Sequence, residues 1–467
     1  MREPDQLPGP SSRPRRPRVP RGRAAVGHGR RRPGQLVVLG FAAAIGAGTL
    51  LLSLPAASTG APAGFVTALF TATSAVCVTG LVVVDTATAW SGFGHAVILG
   101  LIQLGGFGIM TFASLLALLL SRRLDLQTRL VAAASTRSVG LGDVRSVLLG
   151  VARVTVVVEV VTALVLAARW AVTYGEPLPR ALWLGAFHSV SAFNNAGFAL
   201  YGDSLIGFGT DPWILLPLTL AVLVGGLGFP VIFEVWRQHR RPSRWSIHTS
   251  MTLLATAVLV PVGTVFMLVA EWSNPATLGA LDVPGRVLAA FVQGVMPRTA
   301  GFNSVDTAAM RDGTWLGTDV LMFIGGGSAS TAGGIKMTTF VVLLVVIWSE
   351  LRGDPDSTYG DRRLSSSTQR QAVAVALLSV AGVVVTTLLI SLTSAIDVDQ
   401  VLFEVISALA TVGLSTGITA QLGPAHQLLL AVLMFIGRLG PLTLGTAMAL
   451  RERQRLYRRP VGAPIIG

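Results

Sequence analysis

The sequence predicts an all-α polytopic membrane protein: four tandem helix–pore loop–helix units around a central pore, with eight spanning helices and four re-entrant pore helices. Three observations predict it. Of the 467 residues, 52% are hydrophobic and only 13% charged, with mean hydropathy +0.66; a soluble chain carries about twice that charged fraction. Apolar stretches recur along the chain at close to the ~20 residues that cross ~30 Å of hydrocarbon. Between them, four times, an apolar stretch too short to cross runs into a small glycine-centred motif.

The spanning stretches lie near 35–57, 93–120, 146–170, 212–236, 248–270, 372–393 and 426–449. An eighth, 316–350, is apolar at both ends and glycine-rich in the middle. The short stretches are 61–75, 180–192, 285–297 and 400–411. At ~1.5 Å per residue each reaches only partway across, so the chain must turn back. Four units follow, at 34–121, 145–240, 246–352 and 368–451. Residues 1–33, rich in Pro and Arg, read as a disordered basic cytoplasmic tail, and 452–467 as a cytoplasmic C-terminal tail. The opening is no secretory signal peptide, because its apolar region starts late and continues into a full span.

The net charge of +13 is placed as topology demands. Arginine crowds 1–33, 122–137, 237–244, 352–370 and 451–459, whereas 198–212, 394–400 and 416–424 carry acids or no charge. The positive-inside rule then puts both termini and the three basic loops in the cytoplasm, facing anionic headgroups and not nucleic acid. The expected location is the plasma (inner) membrane. A lone cysteine, Cys77, excludes an internal disulfide.

The four motifs read Val-Cys-Val-Thr-Gly-Leu at 76–81, Phe-Asn-Asn-Ala-Gly-Phe at 193–198, Arg-Thr-Ala-Gly-Phe-Asn at 298–303 and Ala-Thr-Val-Gly-Leu-Ser at 410–415. Their glycines, Gly80, Gly197, Gly301 and Gly413, fall roughly 100–120 residues apart. A second motif follows each glycine 24–28 residues later: Gly105-Gly106-Phe107-Gly108, Gly225-Gly226-Leu227-Gly228, Gly325-Gly326-Gly327-Ser328 and Gly437-Arg438-Leu439-Gly440. Glycine frequency at membrane helix contacts explains the second set, but not its register with the first. Units of one orientation suit an axis along the membrane normal. Four equivalent re-entrant loops can form one ring, and a ring of main-chain carbonyls replaces the hydration shell of K⁺ without fixed charge.

These motif pairs, with Gly437-Arg438-Leu439-Gly440-Pro441, resemble the superfamily of K⁺ transporters comprising the Ktr, Trk and plant HKT proteins. The resemblance covers 35–450. Without extra N-terminal spans, the chain looks more like the eight-helix Ktr membrane subunit than the ten-helix Trk one.

Aiming successive carbonyls at an axis takes an extended, partly left-handed path, which glycine allows at little cost. The expected K⁺ sites are the four glycines with the three residues before each: Cys77, Val78, Thr79 and Gly80; Asn194, Asn195, Ala196 and Gly197; Arg298, Thr299, Ala300 and Gly301; Ala410, Thr411, Val412 and Gly413. The short helices would direct their partially negative carboxyl ends at the cation. In the family, serine at the first of these glycines goes with Na⁺ transport and four glycines go with K⁺, so the resemblance implies K⁺.

Two features read as gates. Arg438 stands where the other units have Gly106, Gly226 and Gly326, and a mid-membrane arginine costs at least ~2.5–3.5 kcal/mol unless it faces a pore or a partner. A cation below the filter would obstruct ions; the alternative is a structural arginine bonding helix-end carbonyls, and the resemblance implies the gate. The run from Gly325 through Gly326, Gly327, Ser328, Thr331 and Gly333 to Gly334 cannot be a comfortable helix, at ~1 kcal/mol per glycine. It reads as a loop interrupting the helix, and the resemblance implies an intramembrane gating loop. Lys336, the only lysine of the chain, ends it.

Glu159 is an intramembrane acid, a functional candidate by type, for which the sequence names no partner. His188 and Glu404, on the short helices, read as hydrogen-bond supports of the filter. No catalytic constellation, metal-ligand spacing or phosphate-cradling loop is evident, so the chain reads as no enzyme and with no metal beyond K⁺. The resemblance further implies a homodimer, a cytoplasmic nucleotide-binding (Rossmann-type) regulatory ring, contact with membrane lipids, and Na⁺ as an activator. The rival readings are a Na⁺-conducting or poorly selective relative and a proton- or sodium-coupled secondary transporter.

Overall fold

The computed structural model describes residues 33–121 and 144–449. Most of the 1–33 tail, the basic 122–137 segment and the 452–467 tail lie outside the described residues. In chain order the helices are α1 (Pro33–Leu52), α2 (Phe65–Cys77), α3 (Thr86–Ala89), α4 (Gly92–Ser121), α5 (Val144–Thr173), α6 (Leu178–Phe193), α7 (Pro212–Leu227) and α8 (Phe229–Gln238). They continue with α9 (Ile247–Glu271), α10 (Val283–Val295), α11 (Asp312–Phe323), α12 (Met337–Arg352), α13 (Ser366–Thr393), α14 (Val398–Ala410) and α15 (Pro424–Ala449). A two-residue hairpin, β1 (Thr358–Tyr359) against β2 (Arg362–Arg363), joins α12 to α13 and is the departure from all-α structure among the described residues.

Local chemistry sets the helix ends. Asp211, Ser246, Asp282 and Ser365 each accept a first-turn N–H from α7, α9, α10 and α13, satisfying donors that have no partner within the helix. Left-handed Val78 and Thr411 stop α2 and α14.

The exterior is apolar and the interior polar in places, the reverse of a soluble fold. Val156, Val160 and Leu164 on α5, Val258, Val262 and Val269 on α9, and Leu377, Val384 and Leu388 on α13 are exposed. His188, Ser191, Asn194, Gln293 and Glu404 are buried. Continuous apolar exposure of this extent suits hydrocarbon and not water. By length and composition three helices cross a membrane, 148–173, Ile247–Glu271 and Ser366–Thr393, and α7 with α8 makes a fourth if the bent pair is one span. The other described apolar helices, in α1, α2, α4, α10 and α15, are shorter.

The four short helices α2, α6, α10 and α14 pack in a closed order. Each lies against the long helix before it: α1, α5, α9 and α13 respectively. Each also touches a helix of the preceding unit: α6 on α4, α10 on α7, α14 on α11, and α2 on α15. That last contact joins the two ends of the chain and closes the circle.

One expected span is bent. The stretch 212–236 is apolar but for Glu234, and α7 and α8 meet at a 95° bend. Gly228 sits between them at φ 90°, and Pro230 occupies the first turn of α8. Proline suits that position, where its missing N–H is no loss. The break frees the carbonyls of Gly225 and Gly226, and the 324–336 segment uses them: Thr331 N–H donates to Gly225 O at 3.2 Å and Gly327 N–H to Gly226 O at 2.8 Å. A Cβ at Gly228 would lie 2.6 Å from Ser328 O on an already left-handed backbone. Gly228→Ala is therefore expected to destabilise the fold by roughly 1–3 kcal/mol, read as a lower melting temperature of the detergent-purified protein.

Candidate functional site

The four motif glycines meet. A Cβ built on Gly80 would strike Ala196 O and lie 3.1 Å from Gly197 Cα. One on Gly197 would lie 2.8 Å from Ala300 O and 2.9 Å from Gly301 Cα. One on Gly301 would lie 2.5 Å from Val412 O and 3.1 Å from Gly413 Cα, and one on Gly413 would strike Thr79 O and lie 3.1 Å from Gly80 Cα. Each glycine thus abuts the carbonyl that precedes the next, and the fourth returns to the first. Segments 77–80, 194–197, 298–301 and 410–413 form one closed ring. All sixteen predicted site residues lie in these segments.

Their backbones share one pattern. The glycines have φ of 93°, 71°, 70° and 95°, and the residues two before them, Val78, Asn195, Thr299 and Thr411, have φ of 56°, 59°, 71° and 52°. The residue between is not left-handed in any segment. Alternating handedness turns successive carbonyls to one side of the chain, whereas a strand would alternate them. The second left-handed position falls on non-glycine residues, three of them β-branched, where such a backbone is costly and persists only if its surroundings hold it.

The short helices do the holding. Thr79, Ala196 and Val412 donate their N–H groups to Ser74 O, Ser191 O and Ser407 O at 2.7–2.8 Å. The same serines' hydroxyls accept from Gly80 N–H and Gly413 N–H at 3.0 Å and donate to Phe198 O at 2.7 Å. The third segment, with Val295 in that place, uses Ala300 N–H to Met296 O at 3.0 Å instead. Beyond the ring, His188 Nε2 accepts from Leu200 N–H at 3.2 Å while its Nδ1–H donates to Leu184 O. Gln293 accepts from Ser304, and Glu404 from Ser415 and Thr419. His188 and Glu404 therefore act as the hydrogen-bond supports expected of them.

One side of the ring opens into a cavity of about 490 Å³ with all four glycines in its wall. Asp85, Asp203 and Asp306 line it, and no basic residue does. A mouth of this sign concentrates cations.

The opposite side, termed the inner side, is filled. The glycine-rich run is a non-helical segment between α11 and α12, as its composition predicts, pinned by Gly325 N–H to Ile335 O at 2.9 Å and Met337 N–H to Gly326 O at 3.0 Å. Thr331 Oγ1 donates to Asn195 Oδ1 at 2.8 Å, and a Cβ on Gly333 would meet the Thr411 hydroxyl. Ser328 Oγ lies 3.0 Å from Thr338 Oγ1. Gly334 takes φ 65°, and Lys336 Nζ donates to Ala332 O at 2.5 Å. Arg438 is buried, donating to Thr331 O and, at 3.4 Å, to Gly105 O. It does bond carbonyls, as the structural alternative held, and one of them belongs to the loop.

The second glycine motif now has a reason for its register. Gly105, Gly225 and Gly437 press on Val76 O, Phe193 O and Leu409 O, each the carbonyl four residues before its ring glycine. A long helix crosses the carboxyl end of a short one there, with no room for a Cβ.

Residues 37–458 match the family model described as TrkH, a cation transport protein. The chain belongs to the TrkH family. It is 40% identical over 435 residues to the Ktr system potassium uptake protein B of Bacillus subtilis, covering 93% of this chain and 97% of the relative. It is 38% identical to the protein of that name from Vibrio alginolyticus, over 93% and 94% of the two chains. A third relative, the potassium/sodium uptake protein NtpJ of Enterococcus hirae, is 32% identical over 93% and 97%. The crystal structure of the potassium transporter TrkH from Vibrio parahaemolyticus superposes with TM-score 0.67 at 18% identity, covering 91% of this chain and 86% of that one, which shows the shared fold. The family transports ions, so membership places the chain among transporters and not enzymes.

Within this TrkH-family site, sequence reading missed the three serines, whose signal is a serine six residues before three of the four glycines. It also missed Gln103 and Asn194 as the partners of Glu159, which are distant in sequence. At Gly301, where a Cβ would strike the neighbouring segment, Gly301→Ala is expected to lower cation uptake by roughly five- to a hundredfold, given ~1–3 kcal/mol of backbone strain. Uptake by cells carrying equal membrane amounts of each variant measures this.

Proposed function

We propose that this chain takes up K⁺ through the ring, channel-like and driven by the membrane potential. The observation that carries the reading is the closed circle of four glycine turns with alternating handedness. Carbonyl oxygens turned to one side replace water around a bare monovalent cation, without a fixed charge that would trap it. The carboxyl ends of α2, α6, α10 and α14 contribute partial negative charge, and the acidic mouth supplies ions. A potential of 100 mV contributes ~2.3 kcal/mol per elementary charge, enough to accumulate K⁺ without ATP.

In this reading the chain crosses the plasma membrane eight times as four pore units, with both termini in the cytoplasm. The inner plug of the 325–334 loop, Lys336 and Arg438 is the gate: a guanidinium beneath the ring repels an ion until the loop moves. The gate answers to a cytoplasmic nucleotide-binding regulatory subunit, the protein works as a homodimer, and Na⁺ stimulates uptake.

A second reading, conduction of Na⁺ alongside K⁺, is favoured by the unequal ring, where Val78, Asn195, Thr299 and Thr411 share one position, and by the name of the Enterococcus relative. Gly80 separates the two. A serine Cβ there would push on Ala196 O, narrowing the ring toward a smaller ion. Gly80→Ser is expected to shift preference from K⁺ toward Na⁺ by about tenfold or more; competitive uptake that leaves the preference unmoved would overturn the selectivity account. Arg438→Ala removes the inner cation and its hold on Thr331, and is expected to raise flux several-fold in reconstituted vesicles. Unchanged flux from well-folded protein would take Arg438 out of the gate.

A further inference from the structure

Positive charge crowds the inner end of the ring. Arg298 is buried in the third segment and lines a cavity of about 10 Å³ with Gly226, Gly326 and Met337. None of its three guanidinium nitrogens has a hydrogen-bond partner among the described residues. Lys336 and Arg438 bind backbone carbonyls. The ion pairs among the described residues, Arg169–Asp211, Arg180–Glu176 and Arg363–Asp356, include none of the three. A cation leaving the ring inward therefore meets three basic side chains.

One acid touches a filter segment at this end. Glu159 projects from α5, buried, and its Oε1 accepts from Asn194 Nδ2 at 3.2 Å. Its Oε2 accepts from Gln103 Nε2 at 3.4 Å. Asn194 Nδ2 also lies 2.8 Å from Gln103 Oε1 and 2.9 Å from Val190 O, so its two hydrogens are shared among three acceptors that link α4, α5 and the second filter segment. Both carboxyl oxygens are acceptors. Glu404 holds Ser415 and Thr419 beyond the ring on the mouth side, the side that Asp85, Asp203 and Asp306 also line. A buried carboxylate is costly without compensating positive charge, and no basic side chain pairs with Glu159 among the described residues.

We propose that Glu159 is a positioning residue that sets cation affinity: it anchors Asn194 behind the second filter segment and offsets the positive field of Arg298, Lys336 and Arg438. Without it, the inner end of the ring would repel the ion it has to hold. This inference rests on the reading of the ring as the conduction path.

The experiment measures K⁺ uptake at graded K⁺, with and without competing Na⁺, in cells expressing the full-length chain, with membrane protein quantified for each variant. Glu159→Gln keeps the shape and one acceptor oxygen but removes the charge. It is expected to raise the half-saturating K⁺ concentration roughly tenfold, with maximal rate per protein within about twofold of wild type. Glu159→Ala, which also releases Asn194, is expected to raise it further and to erode preference for K⁺ over Na⁺. Gln103→Leu keeps the charge but removes one anchor, and is expected to shift half-saturation in the same direction by less. If wild type takes up K⁺ while half-saturation and preference stay unmoved in Glu159→Gln and Gln103→Leu, this inference falls alone. Variants that lose only protein amount, with half-saturation unchanged, also overturn it by showing a purely structural role. Failure of wild type to take up K⁺ would overturn the conduction reading, and this inference with it.

Discussion

The structure depends on keeping irregular backbone at membrane depth fully supported. Peptide groups have no water to bond with in hydrocarbon, so non-helical chain persists there only where protein or an aqueous path satisfies it. Each ring segment must leave the helix, hold two left-handed residues and still present free carbonyls. Ser74, Ser191 and Ser407 solve this by binding N–H groups or a carbonyl at the back of the segments, which leaves the oxygens at the front to the ring. The third segment, lacking that serine, closes a tighter turn on Met296.

Close approach is the second consequence. The closed ring brings four backbones to the separation at which a single Cβ collides, so glycine is imposed from across the ring as well as by φ. The long helices repeat the logic where Gly105, Gly225 and Gly437 cross the ends of the short ones. Arg438 follows immediately after one of these crossings, which places a guanidinium under the ring by helix register alone. The bend at Gly228 belongs to the same system: it exposes α7 carbonyls that hold the 324–336 loop against Asn195 and Thr411.

Much of this was legible in the chain itself. The short helices end within two residues of their expected ends; α6, α10 and α14 start two residues early and α2 four residues late. The glycine-rich run announced a non-helical segment because its composition opposes a helix. The 212–236 stretch hid its break, since glycine and proline scattered through a largely apolar run are common in membrane helices. Glu159 looked unpartnered because its partners, Gln103 and Asn194, lie 56 and 35 residues away in sequence.

Sequence alone determined the membrane class, the two sets of glycine motifs and their shared register, because hydrophobicity, length and steric size are properties of residues and their spacing. Tertiary structure decided the order in which the segments meet, the left-handed backbone at Val78, Asn195, Thr299 and Thr411, and the company Arg438 and Glu159 keep. Those depend on which backbone atoms arrive opposite one another when distant helices pack, and no local propensity encodes that.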